Sequence, residues 1–181
     1  LVVPCYNEEE SLPAFFAAAS AVMAGMREEH DDVSFEVVLV DDGPTDGTLG
    51  AMRALAADGE AGAEVRWVSF SRNFGKEAAI FAGLEAARGE CCAVIDCDLQ
   101  HPPEKLPEMY ALWQQGWEVV NGVKADRGKE SGLHTFAANT FYRMMSRAVH
   151  IDMASSSDFK LMDRRVVDAL LGLGERKTFF R

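Results

Sequence analysis

Two aspartates separated by a single residue follow an apolar run in the second half of the chain. Asp96 and Asp98 come directly after residues 91–95, which read CCAVI. Side chains two residues apart in an extended segment point the same way, so both carboxylates face one side while Cys97 turns into the core. Like charges this close need a cation. Mg²⁺ or Mn²⁺, held by one or two carboxylates and by substrate phosphate oxygens, would supply it. The alternative is a turn with two solvated carboxylates.

Three other polar segments also come directly after apolar runs. They are residues 4–9 (PCYNEE), 40–48 (VDDGPTDGT) and 71–76 (SRNFGK). In an open α/β sheet, ligands bind beyond the carboxyl ends of the strands, where such segments meet. Four polar segments at one sheet edge therefore favour a phosphate site with a metal ion over a chance pair of aspartates.

The pair Asp41 and Asp42 has two interpretations. With Gly43 it could form a plain turn, or one carboxylate could accept hydrogen bonds from a base or ribose. Residues 6–8 (YNE) argue against a nicotinamide or flavin enzyme. Their bulky side chains stand where the glycine-rich turn of nicotinamide and flavin enzymes needs bare backbone.

Composition indicates one acidic globular domain over residues 1–181. The chain is 48% apolar, and its 18 Lys and Arg against 29 Asp and Glu give a net charge of −11. Such a surface repels nucleic acid, so no nucleic acid partner is expected. The four cysteines lack disulfide-motif or zinc-ligand spacing and are predicted to be buried free thiols in a reducing compartment. No apolar stretch approaches the roughly 20 residues of a membrane span.

Short apolar runs alternate with stretches of helical periodicity, which predicts an α/β domain with a mostly parallel sheet flanked by helices. The predicted strands cover residues 1–4, 35–40, 64–70, 91–95 and 117–122, and the predicted helices cover residues 11–29, 46–57, 76–88 and 103–115. Beyond them we expect a helix over 133–149, whose aromatic and methionine stripe packs in the core, a short segment over 159–162 and a helix over 163–173.

The polar motifs, taken in order, resemble those of family-2 glycosyltransferases. The matching segments are 3–9 (VPCYNEE), 40–43 (VDDG), 72–76 (RNFGK), 96–104 (DCDLQHPPE) and 157–164 (SDFKLMDR). The resemblance runs over almost the whole chain. It is strongest to the polyprenyl-phosphate branch, which includes dolichyl-phosphate mannosyltransferases and bacterial undecaprenyl-phosphate glycosyltransferases.

This resemblance implies a GT-A fold, a Rossmann-like sheet flanked by helices, and an inverting transfer of a hexose from a nucleotide diphosphate sugar to a polyprenyl phosphate. The nucleotide-binding residues that it implies are Pro4, Tyr6, Asn7, Glu8, Asp42, Lys76 and Asp96. Asp96, Asp98 and Gln100 would hold Mg²⁺ or Mn²⁺. The sequence departs from the family at Pro44, where Ser is usual, and at Ser157, where Gly is usual.

The acceptor implied by the resemblance is a phosphate monoester, which is already ionised at neutral pH. It needs positive charge and orientation more than a general base. Arg127 and Lys129 are the first candidates to bind it, and Lys160 and Arg164 are the second. Asp158 is the remaining catalytic candidate, either by orienting the acceptor or by steadying an oxocarbenium-like centre.

Several alternatives stay open. The acceptor could be a soluble molecule or a saccharide, or the chain could be a non-catalytic nucleotide-sugar binding module, against which Asp96, Asp98, Gln100 and Asp158 together argue. A phosphohydrolase with an aspartyl nucleophile would need its paired aspartates after the first strand. The late motif 157–164 favours a UDP-sugar as donor.

The chain begins inside a strand pattern and stops without a helix-ending signal, so we expect a soluble fragment trimmed at both ends. Membrane contact would come from segments outside it, with the full-length protein at the cytoplasmic face of the membrane. An oligomer is also possible.

Overall fold

The computed structural model describes residues 1–43, 45–58, 62–123 and 158–173. The strands are β1 (Val2–Cys5), β2 (Glu36–Asp41), β3 (Glu64–Ser69), β4 (Cys91–Val94), β5 (Val119–Asn121) and β6 (Lys160–Asp163). The helices are α1 (Leu12–Glu29), α2 (Thr48–Asp58), α3 (Lys76–Ala86), α4 (Leu106–Gln114) and α5 (Arg164–Gly172), with a 3-10 turn at Pro103–Lys105 before α4. The predicted elements in this part of the chain are confirmed, with ends that shift by a few residues. The helix predicted over 133–149 lies outside the described residues.

The strands form a six-stranded sheet in the order β3-β2-β1-β4-β6-β5. β2 pairs in parallel with β1 and β3, and β4 pairs in parallel with β1. β6 runs antiparallel to both β4 and β5. The sheet is therefore mixed but mostly parallel and flanked by helices, as predicted. Strands β2 and β3 lie on one side of β1, and β4 lies on the other side. The carboxyl ends of β1 and β4 therefore flank a crevice of the kind that binds ligands in such folds.

Alternate residues of the central strands face two separate apolar layers, as the two-residue period of a strand requires. Val3, Leu39 and Ile95 pack with residues of α1, α2 and α4. Val2 and Val38 pack on the other face with residues of α3 and α5. Burial on both faces explains why these strands read as continuous apolar runs.

Helix α3 lies unusually close to β1. Gly83 in α3 is buried, and a Cβ at this position would collide with the side chain of Val2. Only glycine permits this approach, and the approach fixes the height of α3 over the sheet. The first residue of α3 is Lys76. The same packing therefore fixes the backbone position of Lys76.

All four cysteines are free thiols, and Cys5, Cys92 and Cys97 are buried, as predicted. Burial raises the pKa of Cys91 to about 11. No helix in the described part of the chain is both long and apolar enough to cross a bilayer.

Candidate active site

A cleft of about 280 Å³ opens at the carboxyl ends of β1 and β4. The predicted site residues that line it are Pro4, Tyr6, Glu8, Asp42, Lys76, Asp96 and Asp98. They come from all four polar segments, so the expected convergence at one sheet edge is confirmed. Asn7 and Gln100 do not line this cleft.

The Lys76 ammonium joins two carboxylates that are far apart in sequence. Its Nζ donates to Asp96 Oδ2 and to Asp158 Oδ2, at 2.7 Å in both cases. Burial alone would lower the pKa of Lys76, but the hydrogen bonds to Asp158 and Asp96 outweigh it and raise that pKa above its ordinary value. The lysine is therefore charged at neutral pH and neutralises part of the acidic cluster.

The antiparallel direction of β6 explains why Asp158 reaches this cluster. Lys160 at the start of β6 pairs with Val94 at the end of β4, and Asp163 at its end pairs with Cys91. Residues that precede β6 therefore lie at the cleft edge of the sheet. Asp158 is there, with its side chain only 8% exposed. A buried carboxylate needs a positive partner, which Lys76 provides.

Asp42 holds the segment that leads into α3. Its Oδ1 accepts from the backbone N–H of Phe74 at 2.7 Å, and its Oδ2 accepts from that of Gly75 at 2.9 Å. Gly43 has a φ of +69°, and a Cβ there would collide with the backbone of Arg72. The loops after β2 and β3 are thus packed backbone against backbone, which positions Lys76.

Asp41, in contrast, belongs to the interior. It is fully buried at the end of β2, and its Oδ2 accepts from Ser69 Oγ at 2.8 Å. Burial raises the pKa of Asp41, and the Ser69 hydroxyl partly offsets that effect. Of the two neighbouring aspartates, Asp42 therefore faces the cleft.

Asn7 turns toward the loop after β2 instead of the cleft. Its φ is +56°, and its Oδ1 accepts from the backbone N–H of Thr45 at 2.9 Å. Beside it, Glu9 Oε2 accepts from the N–H of Gly47 at 2.9 Å, and the N–H of Glu8 donates to Thr48 Oγ1 at 2.7 Å. These contacts join the loops after β1 and β2, so the structure places Asn7 as a residue that holds the cleft wall.

The two aspartates after β4 have the predicted orientation. Asp96 is half-buried, Cys97 is 1% exposed, and Asp98 is exposed to solvent. Asp98 Oδ1 accepts from the backbone N–H of Gln100 at 2.9 Å, across Leu99 with a φ of +58°. Gln100 itself lines a neighbouring cavity of about 640 Å³. This turn presents the Asp98 carboxylate at the mouth of the cleft.

The donor set fits a hard divalent cation that arrives with other ligands. Asp96 and Asp98 offer carboxylate oxygens, which Mg²⁺ and Mn²⁺ prefer. Among the residues that the structure describes, no three acidic, histidine or cysteine side chains gather closely enough to hold a metal ion alone. A metal ion held by these two carboxylates would need further oxygen ligands to complete its coordination.

The structure separates the candidates for binding the acceptor phosphate. Arg127 and Lys129 lie outside the described residues. The Arg164 guanidinium donates to the carbonyl oxygens of Ala87 and Gly89 at 3.0 and 2.8 Å, at the amino end of β4. Arg164 follows β6 and so lies at the sheet edge opposite the cleft. The prediction was wrong for Arg164, while Lys160 starts β6 at the cleft edge.

Sequence reasoning missed the link between Lys76 and Asp158, which are 82 residues apart. Both residues were singled out, but for separate roles. The signal that could have found the link is charge: a site that gathers Asp96 and Asp158 needs a cation, and Lys76 ends one of the polar segments at the same sheet edge.

The profile of the family described as "Glycosyl transferase family 2" matches residues 1–171. An uncharacterized glycosyltransferase of Synechocystis sp. is 35% identical over 182 residues, covering 100% of this chain and 55% of that protein. The "prophage bactoprenol glucosyl transferase homolog" of Escherichia coli is 36% identical over 182 residues, covering 100% of this chain and 57% of that protein. The chain thus spans about half the length of the curated relatives it matches.

Among solved structures, the mannosyltransferase PcManGT of Pyrobaculum calidifontis, in complex with GDP-Man and Mn²⁺, superposes with a TM-score of 0.59 at 21% identity. The match covers 93% of this chain and 45% of that one. At this identity the likeness establishes the fold, which is GT-A. The fold, the order of the motifs and the match over residues 1–171 agree, and the chain belongs to glycosyl transferase family 2.

Proposed function

We propose that this chain is the catalytic domain of an inverting glycosyltransferase that moves a hexose from a nucleotide diphosphate sugar, with a UDP-sugar favoured, to a polyprenyl phosphate. One observation carries the proposal: the cleft between β1 and β4 brings Asp96, Asp98, Lys76 and Asp158 to one place. The relatives named bactoprenol glucosyl transferases support the lipid phosphate acceptor.

The donor would lie along the cleft from the β1–β2 side to the β4 side. Pro4, Tyr6, Glu8 and Asp42 would surround the base and ribose, and Tyr6, which is 47% exposed, offers an aromatic face to the base. Asp42 would act there mainly by holding the wall, because backbone N–H groups already bind both of its oxygens.

The diphosphate would lie over Lys76, Asp96 and Asp98. The two aspartates would hold Mg²⁺ or Mn²⁺, and Gln100 would support them from the turn after Asp98. When bound, the metal would supply positive charge to the diphosphate. Lys76 adds a second positive charge from the protein, with donors that can turn toward phosphate oxygens.

The reaction would be a single displacement at the anomeric carbon. An oxygen of the acceptor phosphate forms the new bond, the bond from that carbon to the diphosphate breaks, and its electron pair stays with the nucleotide. Because the acceptor is ionised, no residue has to remove a proton from it. Arg127 and Lys129 would bind the acceptor phosphate, and Asp158 would orient it or steady positive charge on the sugar.

Membrane contact would come from segments outside this chain, with the active site at the cytoplasmic face. The relatives, nearly twice as long, leave room for such segments.

The test is a transfer assay with the full-length protein. UDP-hexoses and GDP-hexoses carrying a radiolabelled sugar are incubated with undecaprenyl phosphate in detergent and Mn²⁺, and label in the organic phase is measured. We expect label in lipid from one donor class, loss of transfer with a chelator, and an inverted anomeric configuration by NMR. Transfer to a soluble saccharide but not to lipid, or binding without turnover, would overturn the proposal.

A further inference from the structure

Lys76 forms ion pairs with two carboxylates that are far apart in the sequence. Its Nζ lies 2.7 Å from both Asp96 and Asp158. The Asp158 side chain is 8% exposed and that of Asp96 is 22% exposed. The ammonium thus lies between two partly buried carboxylates and lowers the repulsion between them.

The lysine is anchored at its backbone and free to move at its end. Asp42 accepts a hydrogen bond from the N–H of Gly75, the residue before Lys76. Gly83 allows α3 to pack closely against β1. The Lys76 side chain, in contrast, is 39% exposed and lines the open cleft. A lysine carries its charge on a flexible four-carbon stem, so its ammonium can change partners while α3 stays in place.

We propose that Lys76 is an exchangeable counter-ion of Asp96 and Asp158 that moves to the diphosphate when the nucleotide enters. Asp96 is then released to the metal ion. This inference rests on the proposed function for the identity of the ligand, and it adds an order of binding: the metal enters with the nucleotide and binds poorly alone.

The charge balance explains this order. With Lys76 in place, Asp96, Asp158 and the lysine carry a net charge of one negative unit, and a bare divalent cation must displace the ammonium from Asp96. The displaced ammonium then has no new anionic partner. When the diphosphate is present, the ammonium gains one, so the displacement is no longer unfavourable. Metal and nucleotide therefore favour each other's binding, and this coupling is reciprocal.

The experiment compares wild type with Lys76→Met in two titrations. Binding of Mn²⁺ alone is followed by the loss of the EPR signal of free Mn²⁺, and binding of UDP in saturating Mn²⁺ is followed by calorimetry. GDP replaces UDP if UDP does not bind the wild type. For Lys76→Met we expect Mn²⁺ alone to bind about 5- to 10-fold more tightly and the nucleotide about 10-fold more weakly. Unchanged or weaker binding of Mn²⁺ alone would overturn the proposal.

Lys105→Met is the matched control. It removes the same charge from a lysine that is 61% exposed and lies 2.7 Å from Glu108, and it should leave Mn²⁺ affinity unchanged. Lys76→Gln, which keeps a polar end, replaces Lys76→Met if circular dichroism shows that the latter does not fold. If neither UDP nor GDP binds wild type with Mn²⁺, the proposed function fails. The titration with Mn²⁺ alone still decides whether Lys76 shields the carboxylates.

Discussion

Carboxylates lie at both edges of the sheet, and the two edges neutralise them in different ways. At the amino end of β2, Glu36 accepts from the backbone N–H groups of Arg88 and Gly89 and from the Arg66 guanidinium. At the carboxyl end of β4, Asp96 accepts from the ammonium of Lys76, which also donates to Asp158. Both edges are acidic, but Glu36 is held in part by backbone donors, whereas the donor to Asp96 is a lysine side chain.

The contrast separates a structural cluster from a binding site. Burial alone would raise the pKa of Glu36, but the bonds from Arg88, Arg66 and Gly89 outweigh it and lower that pKa. Backbone donors cannot move away without local unfolding, so Glu36 has no charge to offer a ligand. Under the proposed exchange Asp96 changes its partner, which is what a metal or substrate site requires.

Arg164 shows the same principle for a cation. Its guanidinium binds the carbonyl oxygens of Ala87 and Gly89 just beyond α3 and also lies 3.3 Å from Cys92 Sγ. These bonds join the end of α3, the start of β4 and the start of α5. A guanidinium held by several fixed carbonyls stabilises the fold, as Glu36 does.

The largest effect is expected from Asp98→Ala at the cleft. The exposed carboxylate is lost, and with it the proposed metal ligand beside the diphosphate, so turnover should fall by about 1000-fold. The melting temperature should be unchanged, because Asp98 lies outside the core. Initial rates and thermal unfolding measure both. If the variant and a chelator each leave transfer intact, the metal assignment is wrong.

Asp158→Asn should affect rate more than nucleotide binding. The amide keeps the size of the side chain but loses the charge that acts at the sugar or acceptor, so kcat should fall by about 100-fold while nucleotide affinity changes by less than about 3-fold. Steady-state kinetics and calorimetry provide the two values. Equal losses in both would place Asp158 in the nucleotide pocket.

Glu36→Gln tests the structural edge. An amide cannot accept from Arg66 and from the N–H groups of Arg88 and Gly89 at both of its ends, so the free energy of unfolding should fall by about 1–2 kcal/mol. Metal and nucleotide affinity should not change. Glu64→Gln, at a side chain that is 59% exposed, is the control and should change stability little. Denaturant titrations distinguish them, and a loss of nucleotide binding in Glu36→Gln would erase the contrast between the edges.

The smallest effect concerns Asp163, which ends β6 at the structural edge. Hydrogen bonds from the Arg165 side chain and N–H and from the Trp113 indole lower its pKa to about 2. A lowered pKa contributes stability above the unfolded value of about 4, and this contribution is lost as the pH falls toward about 2. The difference in melting temperature between wild type and Asp163→Asn should therefore shrink over that interval. A constant difference would contradict the assignment.

The sequence predicts most of the cleft, because strand ends and polar segments are local features. The alternation at Asp96, Cys97 and Asp98 follows from strand periodicity, and burial confirms it. The parallel pairing of β1 with β2 and β4 follows from the alternation of short apolar runs with helices.

The sequence does not predict where β6 lies. Strand β6 inserts between β4 and β5 and runs antiparallel to both. This placement depends on side-chain packing between distant segments. The same placement brings Asp158 to Lys76 and takes Arg164 to the opposite edge. The contact of Asn7 with Thr45 is likewise not predictable from the sequence, because the two residues lie on different loops.

The most direct test of the comparison is a calorimetric titration of UDP and GDP into wild type, Asp98→Ala and Glu36→Gln, each with Mn²⁺ and with a chelator. We expect one nucleotide to bind wild type and Glu36→Gln equally in Mn²⁺. The chelator and Asp98→Ala should each weaken that binding at least about 10-fold. Nucleotide affinity that is the same with and without the metal and in Asp98→Ala would contradict the division of the sheet into a binding edge and a structural edge. Binding that is lost in Glu36→Gln but kept in Asp98→Ala would contradict it as well.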